Sequence, residues 1–369
     1  MSSPEIPTLF THIQVGNMPL QHRIVLAPLT RFRADDDYVP SEFAAEYYAQ
    51  RASTPGTLLI SEATIIAPEA GGAYTNAPGI WDEKHIEAWR KIADAVHAKG
   101  SFLFMQLWAH GRTAHPELLK KIGPYDVTAP SAIPLDEKYA TPGPLTVKEI
   151  KEFVQLYAQA AKNAVRAGLD GIEIHGANGY LPDQFLQTNT NQRTDEYGGS
   201  IENRIRFTCE VVDAIAAAIG PERTALRFSP WSPFNAMRMP DPVPTFSALV
   251  NHLAKHQPRL AFLHVVEPRI GAGDDVKAIS ENESNGFVRD LWSPRPLVLA
   301  GGFTRETALR EAERGENVLI AMGRYFTSNP DLPRRWVQEA KLTPYDRSTF
   351  YTKGAKGYTD WPCSQESKL

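Results

Sequence analysis

Gly171-Ile-Glu-Ile-His175-Gly-Ala-Asn-Gly-Tyr180-Leu181 decides how this chain is read. Its first five residues form a short apolar run, the pattern of a strand covered on both faces. The run stops in Gly-Ala-Asn-Gly, which supplies the backbone freedom of a turn. An imidazole, an amide and a phenol are thereby bunched at the end of one strand. His175 and Asn178 can both donate to a single oxygen, and Tyr180 offers a proton beside them. That set suits a reaction in which a carbonyl is polarised and a proton is then delivered. The same residues also fit an ordinary strand-to-loop turn, so the rest of the chain has to decide.

Working outward, the run is the fourth of eight. Short β-branched or aromatic runs recur at Arg23–Ala27, Thr57–Ser61, Ser101–Leu107, Gly171–His175, Thr224–Ser229, Ala261–Val266, Pro296–Ala300 and Asn317–Met322. Amphipathic stretches lie between them. The clearest spans Val147–Ala167, with Ile150, Phe153, Val154, Tyr157, Ala161, Ala164 and Val165 on one stripe. Others start near Ser41, Asp82, Ser200, Pro244, Thr304 and Asn329, and Ser200 and Thr304 are suited to N-caps. Strand–helix alternation repeated eight times predicts a (β/α)8 TIM barrel, a single domain over residues 1–369. His12–Gln21 reads as a hairpin turning at Gly16-Asn17, expected to plug the N-terminal mouth of the barrel. The Pro-rich stretch His110–Pro144 is long for a loop in a compact domain and is expected to form a lid or pocket wall.

Composition narrows the function classes. Hydrophobic residues make up 42% of the 369, enough for a large core, and the net charge of -4 suggests neither a nucleic-acid footprint nor a polybasic membrane patch. No apolar run approaches the ~20 residues of a membrane span, and the N-terminal residues have no secretory pattern. Two cysteines, Cys209 and Cys363, cannot build a disulfide framework or a four-thiolate metal site, and no metal centre is expected.

In a TIM barrel the active site is built at the C-terminal ends of the strands. The first strand ends in Ala27-Pro28-Leu29-Thr30-Arg31, the second runs into Glu62-Ala63-Thr64, and the third ends in Gln106-Leu107-Trp108. The fourth ends in His175, the fifth carries Arg227, the seventh ends in Gly301-Gly302 and the eighth in Gly323-Arg324. Glycines after strands seven and eight let backbone N–H groups approach a phosphate, and Arg324 adds a charge-assisted fork. Tight turns alone would also explain them. Gln106 and Arg227, if buried, need partners. These are either acids inside the barrel or the edge of a planar heterocycle. A phosphate and a heterocycle together describe a nucleotide-like cofactor held without a Rossmann motif. The lone Gly271-Ala-Gly273 lacks the third glycine of that motif.

From Leu9 to Pro362 the sequence resembles the Old Yellow Enzyme family of FMN-dependent ene-reductases, and most of all its fungal branch. The resemblance is carried by Ala27-Pro-Leu-Thr-Arg31, Gln106-Leu-Trp108, His175-Gly-Ala-Asn-Gly-Tyr-Leu-Pro-Asp-Gln-Phe185 and Asn191-Gln-Arg-Thr-Asp-Glu-Tyr-Gly-Gly-Ser200. It continues through Ile201-Glu-Asn-Arg204, Leu226-Arg-Phe-Ser-Pro230, Val266-Glu-Pro-Arg269, Ala300-Gly-Gly302 and Ala321-Met-Gly-Arg-Tyr-Phe-Thr-Ser-Asn-Pro-Asp-Leu332. The resemblance implies a non-covalent FMN, with NADPH or NADH as reductant and an enone or enal as substrate. Pro28, Leu29 and Thr30 would lie along the flavin, Ala63 at its edge, Gln106 on the pyrimidine amide and Arg227 at the N1/C2 edge. Gly301, Gly302, Gly323 and Arg324 would hold the phosphate. His175 and Asn178 would bind the substrate carbonyl, or a phenolate inhibitor, and Tyr180 would protonate the α-carbon. Trp108, Thr30, Phe234 and Tyr351 would complete the substrate pocket, with Phe350 nearby. A monomer or homodimer would be the assembly.

Departures from the family fall on the substrate side. The loop after strand six, Ile270–Val276, lacks the Pro-aromatic pair of yeast relatives. The loop after strand five, Trp231–Met239, keeps an aromatic only at Phe234, and the chain carries one extra residue around Tyr74. A barrel hydrolase or lyase without flavin remains a rival, since fold does not fix chemistry. It would need a metal cluster, a Schiff-base lysine or paired carboxylates, whereas Glu173 reads as a structural ion pair. A flavin-binding protein without turnover is a second rival. An isomerase or nitro-reductase would use the same flavin site. The last three residues, Ser367-Lys368-Leu369, match the peroxisomal address and imply an import receptor as partner.

Overall fold

The computed structural model describes residues 6–271, 274–275 and 283–364. Eight parallel strands close into a barrel: β1 Ile24–Leu26, β2 Leu58–Ile60, β3 Phe102–Trp108, β4 Gly171–Gly176, β5 Thr224–Phe228, β6 Phe262–Val266, β7 Leu297–Ala300 and β8 Val318–Met322. Each pairs with the next, and β8 pairs with β1 to complete the ring. The helices that follow them are α1 Ala44–Arg51, α2 Glu83–His97, α3 Val147–Arg166, α4 Ile201–Ile219, α5 Val243–His256, α6 Gly286–Trp292, α7 Arg305–Ala312 and α8 Leu332–Val337.

Alternation along the strands sorts the core into two shells. Ile24, Leu26, Leu59, Leu103, Met105, Ile172, Ile174, Leu226, Leu263, Val265, Leu297, Leu299, Val318 and Ile320 point outward and pack under the helices. The residues between them, Val25, Leu58, Ile60, Phe104, Ala225, Phe262, Val298 and Leu319, fill the barrel interior. Val15, Met18 and Leu20 of the hairpin Ile13–Val15/Met18–Leu20 belong to this inner cluster and are buried to 2% or less. The hairpin therefore plugs the barrel as expected, each side chain contributing roughly 2 kcal/mol of apolar burial. Ser200 and Thr304 accept from the backbone N–H groups of Asn203 and Thr307 and cap their helices. Thr146 caps α3 in the same way, with Glu149 completing the box.

Two expectations change. The helix after strand six, α6, was not marked by the sequence pattern: it is only seven residues long, too short to show a 3.6-residue period. The long loop His110–Pro144, expected as a lid or pocket wall, lines neither lobe of the cavity above the barrel. It carries structure of its own, including a helix at Pro116–Ile122, and supports the site from behind. The loop after strand six lies in part outside the described residues, as does the C-terminal tripeptide.

Candidate active site

The upper layer of inward-facing side chains is polar on one half of the ring and small on the other. Gln106 of β3, Glu173 and His175 of β4, Arg227 of β5 and His264 of β6 are all buried to 8% exposure or less. The register sets Gln106 opposite Glu173, His175 opposite Arg227, and Arg227 opposite His264. On β1, β7 and β8 the same layer has only Ala27, Ala300 and Ala321. That asymmetry leaves space above one half of the barrel.

Glu173 organises the polar half. Its carboxylate accepts from Gln106 Nε2 at 2.7 Å and from His264 Nδ1 at 2.6 Å. Burial lowers the pKa of His264, so it is a neutral donor here. The Glu173 charge also faces Arg227 and opposes the burial that lowers the pKa of that guanidinium. Glu173 was expected in a structural ion pair; the contacts it makes are hydrogen bonds from Gln106 and a neutral His264, with Arg227 close enough to feel its charge.

Above this layer lies a cavity in two adjoining lobes of about 200 and 450 Å³, both bordered by Pro28, Leu29, Arg227 and Arg324. The smaller lobe is walled by Gly301, Gly302, Gly323 and the alanines of β1, β7 and β8. Gly302 has φ +60°, a conformation that side chains rarely adopt, and without a Cβ its backbone stays open to the lobe. The larger lobe is lined by Thr30, Gln106, Trp108, His175, Asn178, Tyr180, Phe234 and Tyr351. Of the site residues expected from sequence, all but Ala63 reach the cavity wall. Ala63 is buried in the outer core.

The turn after β4 is built to hold its side chains still. Asn178 and Gly179 both have positive φ, +59° and +75°. A Cβ on Gly179 would sit 2.6 Å from Asn235 Cβ, so only glycine fits against the loop after β5. Asn178 N–H donates to Ser229 Oγ at 2.8 Å and its carbonyl accepts from Asn235 Nδ2 at 2.9 Å. Gly179 N–H donates to Asp183, and Gln184 donates to the carbonyls of His110 and Gly179. Arg112, from the long loop, donates to the carbonyl of Asn235 at 2.9 Å.

Five residues that line the cavity carry a buried polar atom with no hydrogen-bond partner among the described residues: Arg31 Nη1, Trp108 Nε1, His175 Nδ1, Asn178 Oδ1 and Arg227 Nε. Unpaired buried groups of this kind are costly unless a ligand meets them. Burial and the nearby Arg227 push the pKa of His175 well below its ordinary value, so its imidazole is neutral. Burial raises the Tyr180 phenol well above its ordinary value, and the phenol keeps its proton.

Sequence reasoning missed several residues. Tyr74 lines the cavity, stacks on Trp108 with centroids 5.6 Å apart, and brings its hydroxyl to 3.4 Å from that of Tyr180. Phe32 packs between Tyr74 and Tyr351. The segment carrying Phe350 and Tyr351 is curled around Arg33. The guanidinium of Arg33 donates to the carbonyls of Thr349, Phe350, Gly354 and Lys356. Arg31 adds bonds to the carbonyls of Phe350 and Gly357. These contacts join positions about 320 residues apart, which no local pattern reveals.

The sequence profile of the NADH:flavin oxidoreductase / NADH oxidase family matches residues 8–342. The chain belongs to this family. It lies in the fungal, Old Yellow Enzyme branch, and is 49% identical over 362 residues to chanoclavine-I aldehyde reductase of Penicillium roqueforti strain FM164, covering 97% of both chains. Among solved structures it superposes on Old Yellow Enzyme from Pichia sp. AKU4542 with a TM-score of 0.90 at 39% identity, covering 98% of this chain and 94% of that one. On morphinone reductase in complex with tetrahydroNAD the TM-score is 0.88 at 38% identity, covering 99% of both. This family member is an NADPH-dependent flavin oxidoreductase whose cofactors are FMN and NAD(P)H. The cavity fits that flavin. Arg227 Nε and the Gln106 amide form a polar edge for a heterocycle, and the open glycine backbone beside Arg324 suits a phosphate.

Proposed function

We propose that the protein reduces the activated C=C bond of an α,β-unsaturated carbonyl compound. The observation that carries this reading is the convergence of His175, Asn178 and Tyr180 on one cavity wall. FMN would be held by Gln106 and Arg227 at the ring edge, by Pro28, Leu29 and Thr30 along the ring, and by Gly301, Gly302, Gly323 and Arg324 at the phosphate. When bound, it supplies the hydride that NADPH provides. His175 and Asn178 bind the substrate carbonyl oxygen. The neutral imidazole donates its N–H without surrendering the proton, and the two donors together draw electron density from the conjugated C=C. Tyr180 holds the proton that the α-carbon requires. Its raised pKa makes it a reluctant acid until carbanion character develops there.

The larger lobe favours a planar, partly aromatic substrate. Phe32, Tyr74, Trp108, Phe234, Phe350 and Tyr351 line it, and no carboxylate does among the described residues. The aldehyde named for the Penicillium relative supports an enal as the reacting group. Anaerobic stopped-flow of Tyr180→Phe tests the assignment. Reduction of the flavin by NADPH is expected to keep its rate, while reoxidation by an enone falls by roughly 10²–10⁴-fold. Equal loss in both halves, or in neither, would remove Tyr180 from the role.

A further inference from the structure

Tyr180 must recover a proton after every turnover, and its surroundings restrict where that proton comes from. The residue is 6% exposed. Its ring is enclosed by Trp108 and His175, each with centroids 4.9 Å away, and by His110 at 6.0 Å. Neither imidazole is a proton source. Burial lowers His110 to about 3 and takes His175 well below its ordinary value. No carboxyl group lines either lobe among the described residues. Tyr180 lines the larger lobe, so a substrate or nicotinamide filling that lobe would cover the open face of the phenol.

One hydroxyl does reach it. Tyr74 Oη lies 3.4 Å from Tyr180 Oη. The distance is long for a hydroxyl pair, as catalytic contacts often are before a ligand settles the site. The Tyr74 ring is fixed by Trp108, Phe32 and His110. Tyr74 itself is only partly buried, and Thr75 beside it is exposed. Tyr139, also partly exposed, is close enough to Tyr74 for their charges to interact. Tyr74 thus stands between a buried phenol and the solvent.

We propose that Tyr74 returns the proton to Tyr180, completing a path from solvent through two phenol hydroxyls to the substrate α-carbon. The inference rests on the reading of Tyr180 given above. The Tyr180 O–H bond breaks as the α-carbon C–H bond forms. The Tyr74 O–H bond then breaks as that of Tyr180 re-forms, and water reprotonates Tyr74. The net result is one solvent proton consumed per cycle, matching the one hydride taken from NADPH. No redox partner beyond NADPH and the substrate is needed.

The test is Tyr74→Phe, which keeps the stacking ring and removes the hydroxyl. Three rates are compared: flavin reduction by NADPH, a single reoxidation of pre-reduced enzyme by enone, and steady-state turnover. Each half-reaction is expected within about 3-fold of wild type, because Tyr180 begins each one already protonated. Steady-state turnover should run about 10-fold or more below the rate that the two halves predict, and imidazolium buffer should partly restore it. Altered packing would slow a half-reaction instead and would not respond to a proton carrier. A second readout needs no turnover. In the oxidised enzyme with p-hydroxybenzaldehyde filling the cavity, exchange of the Tyr180 hydroxyl proton with water, followed by NMR on ring-labelled tyrosine, should slow by about 10-fold or more. A steady-state rate equal to that predicted from the halves, or a loss in the single reoxidation, overturns the proposal. Tyr180→Phe in the same assay separates the two ideas: an unimpaired single reoxidation there would refute Tyr180 as the acid, whatever Tyr74 does.

Discussion

Replacing Glu173 by Gln should unsettle both the fold and the cavity, and the size of the effect follows from its contacts. The carboxylate is fully buried and accepts two hydrogen bonds, from Gln106 Nε2 at 2.7 Å and from His264 Nδ1 at 2.6 Å. A carboxylate accepts at both oxygens, whereas an amide accepts at one and donates at the other. The substituted side chain would therefore point an NH2 at one of two donors. Either Gln106 flips its own amide, changing what it offers the cavity, or His264 changes tautomer and leaves a polar atom unmet. The substitution also removes the buried negative charge that faces Arg227. Removing one partner of a buried charged network costs roughly 3–5 kcal/mol. For 369 residues the unfolding entropy is about 0.8 kcal/mol per kelvin, so the melting temperature should fall by about 5 °C. Circular dichroism melts of wild type and Glu173→Gln, both saturated with FMN, measure this. Equilibrium dialysis of FMN then asks whether the displaced Gln106 amide weakens binding. A melting temperature within about 1 °C of wild type and unchanged FMN affinity would refute the claim that Glu173 organises the polar half of the barrel mouth.

Further outcomes are expected elsewhere. His175→Ala and Asn178→Ala should each weaken binding of p-hydroxybenzaldehyde, followed by its charge-transfer band, by roughly 1.5–3 kcal/mol, since each removes one bond to a shared oxyanion; unchanged affinity in both would contradict a shared-oxygen site. Arg324→Ala should purify pale, with far-UV circular dichroism unaltered, because a phosphate dianion on backbone N–H groups loses the cation beside it, at a cost of a few kcal/mol. We also propose that Ser367-Lys368-Leu369 directs peroxisomal import: an N-terminally tagged protein should coincide with a peroxisomal marker, and deletion of the three residues should spread it through the cytosol with reductase rates intact. Diffuse signal from the full-length fusion would discard that assignment.

The barrel was legible because its signal is periodic and repeated. Seven of the eight helices announced themselves by stripe or cap, and only the short α6 escaped. The centre of the site was legible because strand-end residues converge wherever a barrel closes. His175, Arg227, Gly301 and Arg324 are far apart in sequence, yet each follows or ends a strand. What the sequence did not reveal depends on long-range contact. Tyr74 falls in a stretch where the family pattern is interrupted, and only its stacking on Trp108 brings it to Tyr180. Arg33 carried no signal in the sequence, but it is the hub around which residues 349–356 curl. The long loop after β3 was expected, from its length, to form a lid or pocket wall. Its Arg112 and His110 instead brace the turn that holds Asn178 and Tyr180.

The most direct measurement is where two hydrogens go. Under anaerobic conditions the purified enzyme would be given 2-methylcyclohex-2-enone with NADPH deuterated at C4 in water, and then unlabelled NADPH in deuterium oxide, with the product read by NMR. The account predicts a saturated ketone carrying the cofactor's deuterium on the β-carbon and the solvent's deuterium on the α-carbon. Unconsumed NADPH with recovered enone, or cofactor deuterium on the carbonyl carbon of an alcohol product, would contradict it.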